Sequence, residues 1–255
     1  MLKDFSAQKW DIIIEAGQSN SEGYGHGNAH HPVAEDDRVW YLEQDFVICR
    51  AGERVKENLI YSDYSLSFAR AYIREGFLKE DRCLLILRCA VGNTSFSEGH
   101  WGMQNPLYLQ MLSMIQTAYE LNENNRIIAL LWHQGENDAG MNADHDTHYS
   151  HLMKLLTSVR QFTENPTLPV VAGDFVPKWK QLGIGTTDVV VTAIRDVIRD
   201  MEYAAFVETD GLLSNSEDGT QPPNEDYVHF CRESLMVLGE RYFQAFAAIE
   251  KELSL

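Results

Sequence analysis

The chain is poor in cysteine. It has four in 255 residues, at Cys49, Cys83, Cys89 and Cys231, and no Cys-x-x-Cys pair. Such scatter argues against a structural zinc site and against a disulfide framework. A chain that is 44% hydrophobic can bury a core without such staples. Cys83 and Cys89 lie in or beside an apolar run, where small buried thiols are common, so reduced thiols and a cytoplasmic setting are the expectation. Long apolar runs are also missing, and nothing approaches the roughly 20 residues of a membrane span. The opening "MLKDFSAQKWDIII" sets charges ahead of any apolar stretch, unlike a secretory leader. Cations are scarce: 21 Lys and Arg stand against 38 Asp and Glu, a net charge of −17. That balance repels nucleic-acid backbone and anionic membranes. A neutral small molecule or glycan suits it better. Internal repeats, low-complexity tracts and linkers are absent, so residues 1–255 read as one domain.

What is present is an alternation of apolar runs and amphipathic segments. Strands are expected at 11–16, 84–89 ("LLILRC"), 127–132 ("IIALLW") and 169–175, with a short fifth at 204–208. Helices are expected at 65–75, 107–121, 146–162, 188–201 (capped by Thr187) and 234–252. This order implies an α/β fold of three layers, α/β/α, around a mostly parallel sheet. Continuous apolar strands fit a sheet covered on both faces. Two polar stretches, 22–62 and 211–227, interrupt the alternation and read as long loops.

In such folds ligands bind beyond the carboxyl ends of the strands. The residues found there are Gly17-Gln18-Ser19-Asn20, Gly92-Asn93-Thr94-Ser95 and His133-Gln134-Gly135-Glu136-Asn137. A serine hydroxyl attacks only when a base takes its proton, and a histidine base needs a partner to fix its tautomer. Asp226 and His229, three apart before the last helix, fit that need for Ser19. Ester hydrolysis also needs N–H donors for the developing oxyanion. The backbone N–H groups of Ser19 and Gly92 are candidates, and Gln134 and Asn137 both offer a side-chain amide.

"GQSN" at 17–20, "VGNTS" at 91–95, "WHQGEND" at 132–138 and "DYVHF" at 226–230 together resemble the SGNH-hydrolase superfamily. The nearer likeness is to its carbohydrate-esterase branch of sialate O-acetylesterase-like and acetylxylan-esterase-like proteins. The resemblance covers nearly the whole chain. It implies a flavodoxin-like fold and an esterase that removes O-acetyl groups from carbohydrate without cofactor or metal. It gives Ser19 as nucleophile, His229 as general base and acid, and Asp226 as its orienting partner. Gly92 joins the oxyanion hole. The superfamily form of the third block points to Asn137 as the amide donor. The esterase branch points to Gln134, which is the preferred reading. Gln18, Asn93, Glu136 and Trp101 are expected on the substrate side, with Trp40 a second stacking surface. The chain departs from the pattern at Asn93, where relatives often carry a second glycine, and at 61–65, which lacks their Gly-Pro.

Two other readings compete. One is a carbohydrate-binding protein of the same fold without the chemistry. The other is a metal-dependent hydrolase using His145, His148 and His151, which are spaced three apart on a predicted helix. His26, His30, His31 and His100 are further candidates for substrate contact. Oligomeric state is not legible.

Overall fold

The computed structural model describes residues 5–28 and 32–254. His30 and His31 lie outside them. In chain order the elements are β1 (Lys9–Gly17), α1 (Ser19–Glu22), β2 (Gly25–Asn28), β3 (Val39–Leu42), β4 (Ile48–Arg50), β5 (Arg54–Lys56) and β6 (Leu59–Ser62). Then come α2 (Tyr64–Arg74), β7 (Arg82–Arg88), α3 (Pro106–Glu120), β8 (Arg126–His133), α4 (Glu136–Gly140) and α5 (His145–Phe162). The chain closes with β9 (Val170–Gly173), α6 (Pro177–Gln181), α7 (Thr187–Asp200), β10 (Ala204–Val207), a 3-10 turn at Asn215–Glu217, and α8 (Arg232–Leu253).

Seven strands form the central sheet in the order β10-β9-β8-β1-β7-β3-β4, all parallel except the edge pair β3–β4. β1 is central, and its alternate residues feed two cores. Ile12, Ile14 and Ala16 pack with Met111 and Ile115 of α3, Leu152 and Leu156 of α5, and Ile194 of α7. Ile13 joins Tyr64 and Phe68 of α2 and Leu235, Tyr242 and Phe246 of α8 on the other face. Burial on both faces is why β1, β7 and β8 read as continuous apolar runs. Each fully buried Ile, Leu, Met or Phe among them contributes about 1.5–3 kcal/mol by leaving water. α2 and α5 start at Asp63 and Asp144, whose carboxylates accept from Leu66 N at 3.0 Å and Thr147 N at 2.9 Å, satisfying amides that a first turn leaves open.

Two expectations need correction. The stretch 22–62 is not a loop. It supplies β3 and β4 to the main sheet and builds a second, antiparallel sheet in the order β2-β6-β5. The cap of α7 is Thr186, with Thr187 the first helical residue. The Thr186 hydroxyl donates to Ala143 O at 2.8 Å instead of capping its own helix. The stretch 211–227 holds only the short 3-10 turn.

Because β8, β1 and β7 are neighbours, the turns that leave their carboxyl ends meet at one edge. Gln18 N donates to His133 O at 3.0 Å and Val91 N to Gly17 O at 3.1 Å. Those two bonds tie the three blocks together.

Candidate active site

Gly17 ends β1 at φ +139°, and a Cβ there would lie 2.1 Å from His133 O. Only glycine takes this turn without strain. The turn places Ser19 as first residue of the four-residue α1. Helical bonding inside that turn gives its N–H no acceptor. The Ser19 side chain points at the segment before α8, which a bridge between Ser214 and Phe230 holds in place. His229 Nε2 is 2.8 Å from Ser19 Oγ. His229 Nδ1 is 2.8 and 3.0 Å from the two Asp226 oxygens. Asp226 Oδ2 also accepts from Asn215 Nδ2 at 2.8 Å. Burial pushes the Asp226 carboxyl up, but the bonds from His229 and Asn215 outweigh it and hold the group below the usual carboxylate range. Asp226 is therefore a stable anion against the imidazole.

Three residues that sequence reasoning passed over frame this chain of bonds. Asn20 is fully buried. Its amide donates to Glu136 Oε1 at 2.8 Å and Val228 O at 3.1 Å, and its oxygen accepts from Phe230 N at 3.0 Å. It thus clamps both neighbours of His229 to the serine turn. The Tyr24 ring stacks on His229, centroids 5.2 Å apart at 27°. Asn215 donates to Tyr24 O at 3.1 Å as well as to Asp226. Asn20 lay in the quoted "GQSN" block, so a signal existed. Tyr24 and Asn215 carried none.

A cleft of about 310 Å3 opens at Ser19. Gln18, Gly92, Asn93, Glu136 and Asn137 line it, as does Trp179, which was not foreseen. Asn93 is exposed in the left-handed region at φ +58°. Glu136 is buried and works as an acceptor. Burial raises its carboxyl, but the His133 ring and the Asn20 amide more than reverse that and leave it below its ordinary value. The Gln18 amide is best assigned with its nitrogen toward Thr94 O (3.2 Å) and Glu136 Oε2 (3.3 Å). Gly92 N donates to Glu22 Oε2 at 2.5 Å.

Two expected site residues are elsewhere. Gln134 points inward, its amide nitrogen 2.6 Å from Asp138 Oδ2 and 3.3 Å from Thr94 O. Asp138 also takes Phe96 N at 3.1 Å and Ser97 N at 2.9 Å, so Gln134 belongs to the bonds that hold the "VGNTS" loop. Trp101 is 1% exposed and donates to Thr94 Oγ1 at 3.0 Å. It packs edge-on to Trp132 and offers no stacking face. Trp40 is buried too, with Arg50 over its ring.

The three histidines of α5 diverge. His145 pairs with Asp146 and Asp196, each at 2.9 Å. His148 is buried edge-on against Phe96, and His151 lies against the same ring from another direction. Among the described residues no group of three or more His, Cys, Asp or Glu is placed to hold a metal ion. His148 has a different consequence. Both its ring nitrogens lack a hydrogen-bond partner, and burial pushes its pKa down from 6.5 to about 4 despite the pull of Asp138. The unfolded chain then binds the proton first as pH falls. The stability due to neutral His148 is complete above 6.5 and lost toward 4. Urea midpoints at pH 7.5 and pH 5 should show His148→Leu losing about 2 kcal/mol less than wild type over that interval. Parallel losses in the two proteins would refute this.

The geometry can be set beside known proteins. A crystal structure of NanS superposes with a TM-score of 0.79 at 17% identity, covering 96% of this chain and 99% of that one. A structure of a protein from Arabidopsis thaliana gives 0.75 at 21% identity, covering 94% and 98%. Both likenesses concern the fold. In sequence, the chain is 25% identical over 129 residues to the "Probable 9-O-acetyl-N-acetylneuraminic acid deacetylase" of Escherichia coli K12. That match covers 41% of this chain and 39% of that protein, so the chain spans about two fifths of its relative's length. The family described as "Carbohydrate esterase, sialic acid-specific acetylesterase" matches residues 9–248. That span takes in the serine turn, both polar loops and the histidine segment, and it establishes that the chain belongs to this carbohydrate esterase family.

Proposed function

We propose that the protein is a serine esterase that removes O-acetyl groups from a sugar, acetylated sialic acid being the class that family membership suggests. The observation that carries the reading is the unbroken run from Ser19 Oγ to His229 to Asp226, with 2.8 Å at each link. Ser19 Oγ attacks the acetyl carbonyl carbon as His229 Nε2 takes its proton. Asp226 stabilises the imidazolium without being protonated itself. The carbonyl π-pair moves onto oxygen, then returns as the bond to the sugar oxygen breaks. His229 gives its proton to that oxygen, and the sugar leaves with a free hydroxyl. Water, deprotonated by the same nitrogen, opens the acetyl-serine and frees acetate.

For the oxyanion we assign the Ser19 N–H and the Asn137 amide. Asn137 lines the cleft, whereas the Gln134 amide is spent on Asp138. Gly92 N–H is taken up by the Glu22 carboxylate, so we leave it out of the oxyanion hole. Asn137→Ala should lower kcat roughly 100-fold with KM little changed. Gln134→Ala should act mainly on thermal stability, through the loop that Asp138 holds. Steady-state kinetics and melting curves on the two variants decide between the amides, and the reverse pattern would return the role to Gln134.

The reading is tested by acetate release from a panel of O-acetylated sugars, with a fluorophosphonate as covalent probe. The expected adduct is on the peptide carrying Ser19, with loss of activity in step. Labelling elsewhere, or no acetate from any sugar, overturns it.

A further inference from the structure

Beside the Ser19 cleft lies a second hollow of about 510 Å3. The two share Tyr24 and His229 as a common wall. The floor of this hollow is the small sheet β2-β6-β5, built from the stretch that sequence reading left as a loop. Its lining balances two acids, Glu22 and Asp226, with two bases, Arg54 and Lys56, whereas over the whole chain acids outnumber bases 38 to 21. In a chain of net charge −17, it gathers Arg54, Lys56 and His26 beside the rings of Tyr24 and Tyr61.

Arg54 is held ready. Its Nη2 donates to Glu22 O at 3.1 Å and Gly23 O at 3.2 Å. Those carbonyls fix one edge of the guanidinium across the turn that follows α1. Among the described residues no carboxylate lies within 4.0 Å of it. Lys56, two residues along the same strand, reaches only Glu57, at 4.0 Å. The two acids that also line the hollow are engaged: Glu22 with Gly92 N, Asp226 with His229 and Asn215. A planar fork anchored on one edge and open on the other suits a carboxylate.

We infer that this hollow is an anion subsite, in which Arg54, with Lys56 beside it, holds the carboxylate of an acidic sugar while its acetyl ester lies at Ser19. The inference rests on the esterase reading and adds the residues that select among sugars. It also resolves a conflict in the sequence. The overall charge disfavours an anionic ligand, and the subsite supplies local attraction where it counts.

The test compares an O-acetylated N-acetylneuraminic acid, its carboxyl methyl ester and 4-nitrophenyl acetate as substrates for wild type, Arg54→Gln and Lys56→Gln. Both positions are exposed, so melting temperatures should stay near wild type. Wild type should show a KM for the acid about tenfold below that for its methyl ester. Arg54→Gln should raise KM for the acid about tenfold, leave kcat in place and leave the other two substrates unaltered. Lys56→Gln should do the same more weakly. Added salt should raise the wild-type KM for the acid and do little to Arg54→Gln. Equal KM values for acid and methyl ester in wild type, or an Arg54→Gln defect shared by all three substrates, overturns the subsite while leaving the esterase standing. Release of acetate from the aryl ester alone overturns the sugar reading and the subsite with it.

Discussion

Alanine at position 19 should cut kcat/KM for acetate release by on the order of 10^5-fold, the scale on which removing a nucleophile acts. The fold should survive. Among the described residues Ser19 Oγ bonds only to the His229 ring, and the change removes one atom from a surface that faces the cleft. What activity persists would come from the oxyanion donors acting on water, worth roughly 10^3-fold over the uncatalysed reaction. Wild type and variant should be assayed side by side on an aryl acetate and an acetylated sugar, with a urea melt to show that both are folded. A variant within tenfold of wild type on either substrate would remove Ser19 from the chemistry. Fluorophosphonate should no longer label the variant.

The second large effect is on stability. Gly17→Ala should cost on the order of 4 kcal/mol. Two penalties coincide there. The residue sits at φ +139°, and its Cβ would meet His133 O at 2.1 Å, the carbonyl carbon at 2.7 Å and Ser21 Oγ at 2.9 Å. Backbone cannot swing aside as a flexible side chain can. β1 and β8 would have to part at the point where Gln18 N bonds to His133 O, and that bond orients the serine turn. A fall in Tm of roughly 10 °C is expected for a domain of this size, with activity reduced even below the transition. An unchanged Tm would mean that the turn relaxes far more easily than its packing implies.

How much of this was readable depended on length scale. The long strands and helices were legible because β1 and β8 are unbroken buried runs and α5 and α8 repeat their buried positions over many residues. The convergence of three polar blocks was legible as well, since adjacent parallel strands must deliver their turns to one edge. The stretch 22–62 was not. Its strands are three or four residues long, too short for periodicity to separate them from loop. Nor could spacing choose between Gln134 and Asn137. Gly135 stands between them at φ +142°; on its two sides the Gln134 amide bonds Asp138 and Asn137 lines the cleft. Trp101 was misplaced for a related reason. An aromatic residue in a connecting segment has the same composition whether it faces sugar or core. Asn20 shows the limit most clearly. It reaches Val228 across 208 positions, and nothing local to residue 20 announces a partner so distant.

That distance has a consequence for how the protein comes into being. Ser19 follows the first strand, and His229 precedes the last helix, 210 positions later. β1 itself has no neighbour until β7 and β8 exist. On the esterase reading, the hydroxyl stays inert during synthesis until its base, 210 positions further along, has emerged. Contacts of such high sequence separation close late, after their loop entropy has been offset by others. Hydrolysis would then report that the serine turn and the histidine segment have closed on each other. A nascent or partly unfolded chain would carry the serine without the base to use it.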